Sequence, residues 1–275
     1  MIKLFISDLD GTLLSTENEV TDSDFLAIQK AKKEGIDIAL ATGRMDDEIK
    51  QIEKRLGVAV HRISQNGTSV ITNENHQLLS RTLDPAIAKQ IIQESKNNRL
   101  IAIASDFAKN YTDEKNEYFD IIQSRLLAPL EVHQKLLDDI GHTILPSKIF
   151  FIGEFEELEV FEQQVVSKFS DKIQTFISDR YCLDVVPNCV SKGEAVSALI
   201  QNLGFKKEEI ACIGDSFNDI SMFELTPYSF AMENSFEDVK KRAKYIVKNV
   251  AEAIETVLKI NKLGEKATDI HRYPS

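Results

Sequence analysis

Short apolar runs alternate along the chain with stretches in which apolar residues recur every three or four positions. Ile2 to Ser7 is an apolar run of strand length, and the apolar positions between an N-cap at Thr21 and a closing Gly35 recur at helical spacing. The same pattern predicts a strand at residues 36–41, a helix at 46–56 and a strand at 61–64. Strands that alternate with helices need crossover connections, so we predict a parallel sheet.

The alternation becomes less regular from about Thr82. Asp84 and Pro85 open a helix that runs through Ser95, because an aspartate cap followed by a first-turn proline is typical of a helix start. Strands are then predicted at 100–104, 148–152, 173–177 and 182–186, with helices at 118–125 and 156–169. After Pro187 the rhythm resumes with a helix at 192–202, a strand at 210–213 and helices at 216–225 and 250–262. We therefore predict an α/β core of residues 1–81 and 187–275, with an inserted α+β unit of residues 82–186.

The composition limits the classes of partner. No stretch approaches the roughly 18 apolar residues of a membrane span, and the apolar run at the N-terminus is too short for a signal-peptide core. The cysteines, Cys182, Cys189 and Cys212, are odd in number and lack metal-ligand spacing, which favours a reducing, cytoplasmic location. The formal net charge of −11 disfavours nucleic-acid binding, because affinity for phosphate backbones comes from clustered Lys and Arg. We expect neither a membrane nor a nucleic-acid partner.

Two acidic turns directly follow predicted strands. One is Asp8-Leu9-Asp10-Gly11-Thr12, and the other is Gly214-Asp215-Ser216-Phe217-Asn218-Asp219. Both would lie at the sheet edge where the strands' carboxyl ends meet and where open α/β sheets bind ligands. Their oxygens could hold a hard cation, while one carboxylate attacks phosphorus and another moves the proton. Each turn also has a local interpretation, the first as a strand cap and the second as a Ser216–Asp219 capping box.

Two further segments carry groups suited to phosphate. Ala41-Thr42-Gly43-Arg44 offers a hydroxyl, backbone N–H groups and a guanidinium, although it could equally be a plain strand-to-helix turn. Ser191-Lys192-Gly193-Glu194 has the pattern of a capping box with a solvated lysine. Lys192 could instead neutralise both a nucleophilic aspartate and a phosphoryl group. Asn66-Gly67 predicts a turn.

Taken in order, four segments resemble the motifs of the haloacid dehalogenase-like phosphatases: Asp8-Leu9-Asp10-Gly11-Thr12-Leu13-Leu14, Thr42-Gly43-Arg44, Ser191-Lys192-Gly193, and Gly214-Asp215 with Asn218-Asp219. The length, the insertion between the second and third motifs, and Asn66-Gly67 resemble the Cof-type subfamily, with matches from Ile2 to about Ile254. The resemblance implies a Rossmann-like, doubly wound core and an α+β cap that closes over the substrate.

The resemblance also implies a role for each matching residue. Asp8 becomes the nucleophile and a magnesium ligand, and Asp10 the general acid/base whose backbone carbonyl also reaches the metal. Asp215 becomes the remaining side-chain ligand, with Asp219 as a further residue of the metal site. Thr42 and Lys192 would hold the transferring phosphoryl group, and the residues expected to contact the substrate are Gly43, Arg44, Asn66, Lys192, Asn218 and Asn234. Mg²⁺ suits such a site because it keeps several waters and takes few protein carboxylates.

The expected activity is magnesium-dependent hydrolysis of small phosphomonoesters, such as sugar phosphates or phosphorylated cofactors, through an aspartyl-phosphate. One alternative is a phosphomutase or phosphotransferase, which would use the same nucleophile and pass the phosphoryl group to an acceptor. Another is a phospho-aspartate signalling module. In such receivers the phosphorylated aspartate follows a later strand and no large unit is inserted, which favours the hydrolase.

Overall fold

The computed structural model describes residues 1–115, 118–126 and 128–264. The chain forms two compact units within them. The first unit takes Met1–Arg44, Ile49–Leu79 and the described residues from Ser191 onward. The second unit takes Met45–Glu48 and Ser80–Val190. No helix among these described residues is long and apolar enough to cross a membrane.

Both units combine strands and helices. The strands of the described residues are β1 (Leu4–Ser7), β2 (Asp37–Ala41), β3 (His61–Ser64), β4 (Ser69–Ile71), β5 (Gln77–Ser80), β6 (Ile101–Ser105), β7 (Asn110–Thr112), β8 (Leu130–Val132), β9 (Lys148–Ile152), β10 (Ile173–Asp179), β11 (Cys182–Pro187), β12 (Ile210–Gly214), β13 (Ser229–Met232) and β14 (Tyr245–Val247). The helices are α1 (Asp22–Lys33), α2 (Asp46–Leu56), α3 (Pro85–Ser95), α4 (Phe119–Arg125), α5 (Leu136–Asp139), α6 (Phe155–Phe169), α7 (Lys192–Leu203), α8 (Ile220–Phe223), α9 (Glu237–Lys240) and α10 (Val250–Leu263).

The sheet of the first unit has the strand order β14-β13-β12-β1-β2-β3-β4-β5. Every pairing from β14 to β3 is parallel, and β4 returns antiparallel to β3. Strand β1 lies between β2, which follows it in the chain, and β12, which is added much later. The chain therefore leaves β1 in one direction and returns on its other side, which makes this a topological switch point. Asp8, Thr42 and Asp215 directly follow β1, β2 and β12, and this topology places all three at the same edge.

Helices cover both faces of this sheet. Helices α1, α2 and α10 pack on the face that contains Phe5 and Leu40, and α7 and α8 pack on the face that contains Leu4 and Ile6. Successive side chains of a strand point to opposite faces. Since both faces are buried, β1 has three consecutive apolar residues, Leu4, Phe5 and Ile6, and does not alternate with polar residues.

The second unit has a sheet with the strand order β10-β11-β9-β6-β7-β8. Its pairings are antiparallel except for the parallel pair of β7 and β8. Helices α3 and α6 pack on one face, where the rings of Phe151 and Phe161 meet edge to face with centroids 4.8 Å apart. Helix α4 packs on the other face against Ile103 and Phe150. This antiparallel sheet with helices is the α+β unit expected from the less regular sequence pattern.

The α/β class is confirmed, and the bounds of α2, β3 and β9 coincide with the predicted ones. The prediction of a continuous helix at 216–225 was wrong, because a 3-10 turn (Phe217–Asp219) precedes the short α8.

The units divide after Leu79 and before Ser191, whereas the sequence placed the divisions after 81 and after 186. Leu79 packs in the core of the first unit, and Pro187 still pairs with Ile173 in the sheet of the second. Residues 265–275, assigned to the core from sequence, lie outside the described residues.

Candidate active site

An acidic cluster lies at the carboxyl ends of β1 and β12. Asp8, Asp215 and Asp219 each offer one carboxylate oxygen, and these oxygens all lie within 4.8 Å of one another. The backbone N–H of Asp8 donates to the carbonyl of Ile213 at 3.0 Å, which continues the β1–β12 pairing beyond the strand and fixes Asp8 at the edge. The hydroxyl of Thr12 donates to Asp215 Oδ1 at 3.1 Å. The two acidic turns therefore meet, as their positions after parallel strands predicted.

Gly11 allows this close approach. Its φ of +76° lies in the left-handed region that favours glycine, and a Cβ atom there would lie 2.5 Å from Asp215 Oδ2. Any side chain at this position would displace the Asp215 carboxylate. The turn after Asp10 thus needs glycine both for its backbone conformation and for the contact with the second acidic turn.

Lys192 is a fully buried cation at this site, with 1% of its surface exposed. Its Nζ donates to Asp8 Oδ1 at 2.6 Å and to Asp219 Oδ1 at 2.7 Å. Lys192 is the first residue of α7, and Ser191 caps that helix by accepting from the N–H of Glu194 at 3.1 Å. The helix start fixes the lysine backbone, so its side chain extends between the two carboxylates and not into solvent.

Asp219 organises the second acidic turn. Its Oδ2 accepts hydrogen bonds from the N–H groups of Asp215 and Ser216, both at 3.0 Å, and its Oδ1 accepts from Lys192. The predicted Ser216–Asp219 capping box is present. The Asp219 carboxylate therefore caps the turn and also binds Lys192, so the local interpretation does not exclude a contact with the acidic cluster.

The cluster carries more negative than positive charge. Burial raises the pKa of Asp8 well above its usual value, and although Lys192 opposes this, the charges of Asp219 and Asp215 add to it. Burial and the charge of Asp219 also raise the pKa of Asp215. Burial lowers the pKa of Lys192, but the Asp219 and Asp8 carboxylates outweigh it and raise the pKa overall, so the lysine stays a cation. Clustered carboxylate oxygens with uncompensated charge are the donor set that a hard divalent cation prefers.

Asp10 lies apart from the cluster, with 56% of its side chain exposed. Both of its carboxylate oxygens accept from the guanidinium of Arg44, with 2.9 Å between Nε and Oδ2. The Nη2 of Arg44 also donates to Asn18 Oδ1. Arg44, which the sequence assigned to substrate phosphate, is engaged here by the carboxylate of Asp10.

Asn66, in the turn after β3, contacts both the turn after β2 and the turn after β12. The buried Thr42 accepts at its hydroxyl from the N–H of Arg44 at 3.1 Å, and its carbonyl accepts from the N–H of Asn66 at 2.9 Å. Asn66 Oδ1 then accepts from Asn218 Nδ2 at 3.1 Å, and Asn66 lies beside Gly43. Among the described residues, Asn218 Oδ1 is buried without a hydrogen-bond partner. It is an acceptor available to a ligand donor or a water.

Asn234 is another residue that the sequence predicted to contact the substrate. It is exposed in the turn after β13, and no hydrogen bond among the residues that the structure describes joins it to the acidic groups.

Sequence reasoning missed three residues that support the site, namely Thr12, Asn18 and Ser221. Thr12 lies within the first motif and could have been found there. Ser221 accepts from the N–H of Gly193 at 3.0 Å and donates to the carbonyl of Asn218 at 3.2 Å. No local pattern marks Ser221 or Asn18, because the Ser221–Gly193 and Asn18–Arg44 contacts join residues 28 and 26 positions apart.

Known proteins are similar to this chain in sequence and in fold. The family model of haloacid dehalogenase-like hydrolases matches residues 5–259. Phosphatase YwpJ of Bacillus subtilis is 27% identical over 265 residues, which cover 88% of this chain and 93% of the relative. The 5-amino-6-(5-phospho-D-ribitylamino)uracil phosphatase of Bacillus subtilis is 26% identical over 286 residues, covering 90% and 93%. A haloacid dehalogenase-like hydrolase from Bacteroides thetaiotaomicron superposes with a TM-score of 0.84 at 28% identity, covering 94% of this chain and 100% of the other.

The matched range contains all four motifs, and the similarity extends over most of each chain. The likeness in fold agrees with the α/β architecture described above. The chain belongs to the haloacid dehalogenase-like hydrolase family, and the enzyme class expected from its motifs, a phosphatase, is the class named for these relatives.

Proposed function

We propose that the chain is a magnesium-dependent phosphatase that hydrolyses small phosphomonoesters through an aspartyl-phosphate on Asp8. The observation that supports this most is the placement of the Lys192 ammonium against Asp8, 2.6 Å from its Oδ1. A nucleophilic carboxylate must approach an anionic phosphoryl group, and a buried cation beside it reduces the repulsion. A capping lysine would not need to be buried between carboxylates.

Mg²⁺ is the cation we propose for the acidic cluster. Asp8 and Asp215 would supply carboxylate oxygens, and Asp219 would hold Lys192 and the Asp215 backbone in place through the hydrogen bonds described above. When bound, the metal would neutralise negative charge on Asp8 and on the phosphoryl oxygens. The residues fit such an ion because all the clustered donors are carboxylate oxygens.

The side chains support a two-step hydrolysis. In the first step an Asp8 oxygen bonds to phosphorus, the bond from phosphorus to the leaving oxygen breaks, and Asp10 gives that oxygen its proton. In the second step Asp10 takes a proton from water, the water oxygen bonds to phosphorus, and the phosphorus–Asp8 bond breaks to release inorganic phosphate. Lys192 and the Thr42 hydroxyl would hold the phosphoryl oxygens. Asn218 Oδ1 is an acceptor, so it would receive a hydrogen bond from a donor group of the substrate or from a water.

We propose small, enclosed phosphate esters as the substrate class. One relative is named for a phosphorylated ribitylaminouracil, and another, from Klebsiella pneumoniae, is named HMP-PP phosphatase. In this proposal the second unit is the cap that selects the leaving group, and the first unit carries the chemistry. Phosphoproteins would be poor substrates, because a cap that excludes water favours ligands small enough to be enclosed.

The test is phosphate release from a panel of small phosphomonoesters, with Mg²⁺ and with EDTA, by the wild type and by Asp8→Asn. We expect magnesium-dependent release that the substitution lowers by at least about a hundredfold, in line with the loss of a nucleophile. Asp37→Asn is a matched control, because Asp37 pairs with Lys32 on the surface at 2.9 Å and lies outside the proposed site.

Undiminished release by folded Asp8→Asn would contradict the proposal. Release that appears only when a sugar phosphate acceptor is added would instead favour a phosphomutase or phosphotransferase. Accumulation of a stable phosphoenzyme without turnover would favour a signalling module.

A further inference from the structure

Two nitrogens of the Arg44 guanidinium, Nε and Nη2, donate hydrogen bonds to the carboxylate of Asp10. Arg44 Nε lies 3.1 Å from Asp10 Oδ1 and 2.9 Å from Oδ2, and Nη2 donates to both Asp10 and Asn18. Only 15% of the Arg44 side chain is exposed, although Asp10 itself faces solvent. A guanidinium that grips a carboxylate through two nitrogens fixes its orientation as well as its position.

The position of Asn18 is fixed in turn by its backbone conformation and by a contact of its carbonyl. It has a φ of +60°, a left-handed conformation that asparagine tolerates better than most residues. Its carbonyl accepts from Arg55 Nη1 at 3.1 Å, and its side-chain oxygen accepts from Arg44. A chain of contacts thus runs from Arg55 on α2 through Asn18 and Arg44 to Asp10. All of these residues belong to the first unit.

An exposed aspartate without such a partner would sample several staggered side-chain rotamers. Asp10 is also only two residues from Asp8, which belongs to the acidic cluster. The negative charge of that cluster would therefore repel the Asp10 carboxylate. Arg44 opposes both effects, because its positive charge attracts the Asp10 carboxylate and its planar guanidinium binds that carboxylate in one orientation. The backbone of Arg44 is fixed as well, since its N–H donates to Thr42 Oγ1 at 3.1 Å and its carbonyl accepts from the N–H of Gln65 at 2.8 Å.

We infer that Arg44, oriented by Asn18, is a positioning residue that holds Asp10 where it can transfer a proton to the leaving oxygen. This deepens the proposed function and rests on it. It also replaces the sequence-based assignment of Arg44 to the substrate phosphate, because Nε and Nη2 are already engaged by Asp10 and Asn18. The step that depends on Arg44 is the first one, in which the proton of Asp10 moves to the leaving oxygen as the phosphorus–oxygen bond breaks.

The dependence on the leaving group separates positioning from binding. Dinitrophenolate leaves without a proton, whereas the alkoxide of glycerol 3-phosphate needs one. We would follow the first chemical step with enzyme in excess over substrate, using Arg44→Met, Arg44→Lys and Asn18→Gly. Asn18→Gly removes the side-chain oxygen and keeps the left-handed backbone. Arg242→Met is the matched control, because Arg242 pairs with Glu224 elsewhere in the first unit.

For Arg44→Met we expect a loss of about tenfold to a hundredfold on glycerol 3-phosphate and a change within about twofold on 2,4-dinitrophenyl phosphate, as for a lost general acid. Arg44→Lys should lose less than Arg44→Met, and Asn18→Gly should show a smaller loss of the same kind. Arg44→Met combined with Asp10→Asn should be no slower than Asp10→Asn alone, because both changes remove one function.

Equal losses on both esters would overturn the inference and assign Arg44 to binding or folding. Multiplicative losses in the double variant would overturn it too. A wild type that cleaves neither ester would contradict the proposed function itself, and the positioning role with it. Leaving-group-dependent losses in Arg44→Met, absent from Arg242→Met, support the inference.

Discussion

The Nζ of Lys192 lies 2.6 Å from the Oδ1 of Asp8, although the two residues are 184 positions apart in the chain. The contact joins the start of α7 to the end of β1 inside the first unit. Since Asp219 binds the same ammonium, the lysine compensates two buried carboxylates at once. In the proposed function, stability and activity therefore depend on the same three side chains.

Lys192→Met should destabilise the first unit as well as abolish phosphate release. The variant leaves Asp8 and Asp219 buried without their cation, and breaking a buried pair costs about 3–5 kcal/mol. Urea unfolding in EDTA measures this cost. Lys32→Met is the control, because the Lys32–Asp37 pair is only half-buried and a pair near the surface contributes at most about 1 kcal/mol. An unchanged urea midpoint for Lys192→Met would show that the buried pair adds no net stability.

Mg²⁺ should raise the melting temperature of the wild type, by an amount that grows with the logarithm of the Mg²⁺ concentration relative to Kd. A ligand that binds only the folded state stabilises it by about 2.7 kcal/mol at a hundredfold excess over Kd. We expect Asp215→Asn to weaken this effect strongly and Asp238→Asn, which alters an exposed pair with Lys241, to leave it unchanged. Thermal melts over a magnesium titration provide the measurement. Identical titrations for wild type and Asp215→Asn would remove Asp215 from the metal site.

Gly11→Ala should lose activity without unfolding the protein. The added methyl group would lie 2.5 Å from Asp215 Oδ2, in a backbone conformation that already disfavours alanine. Gly35→Ala is a useful comparison, since Gly35 also has a positive φ, +79°, but a methyl group there would meet no atom of a non-neighbouring residue within 4 Å. Phosphate release and circular dichroism of both variants separate the effects. Similar activity in the two would mean that the contact with Asp215 is unimportant.

Acid should destabilise the protein partly through His61. This side chain is 1% exposed, its Nδ1 accepts from the N–H of Asn73 at 3.1 Å, and burial lowers its pKa below the usual value of 6.5. The unfolded state therefore binds a proton at higher pH than the folded state, so the free energy of unfolding falls as pH drops below about 6.5. Urea midpoints at several pH values should fall less steeply for His61→Gln. The exposed His76→Gln serves as the control, and parallel curves for wild type and His61→Gln would contradict the expectation.

The sequence was most informative where chemistry follows directly after an apolar strand. Asp8 and Asp215 could be paired because parallel strands end at one edge, and the Ser191 cap could be recognised from four neighbouring residues. The link between Asp10 and Arg44 could not be predicted, since side-chain orientation in a turn has no periodic signature. The contact of Ser221 with the N–H of Gly193 likewise arises only when α7 and α8 pack together.

Two short strands at one end of the sheet, β13 and β14, were a gap in the predicted fold. Strands β13 and β14 contain four and three residues, too few for a pattern of period two to stand out. The helix expected at 216–225 was wrong because the Asp219 carboxylate binds backbone N–H groups at its start, where a tighter turn forms. Pairing with neighbouring strands decides the first case, and hydrogen bonds within the turn decide the second.

The central position of β1, between β2 and β12, has a consequence for biosynthesis. A ribosome releases β1, α1 and β2 early, but β12 and the turn with Asp215 follow only after the whole inserted unit has been made. The nascent chain therefore exposes the flank of β1 to water until the last third is translated. Proteins truncated before Ile210 should lack the acidic cluster. They should also present the unpaired side of β1 to chaperones and proteases.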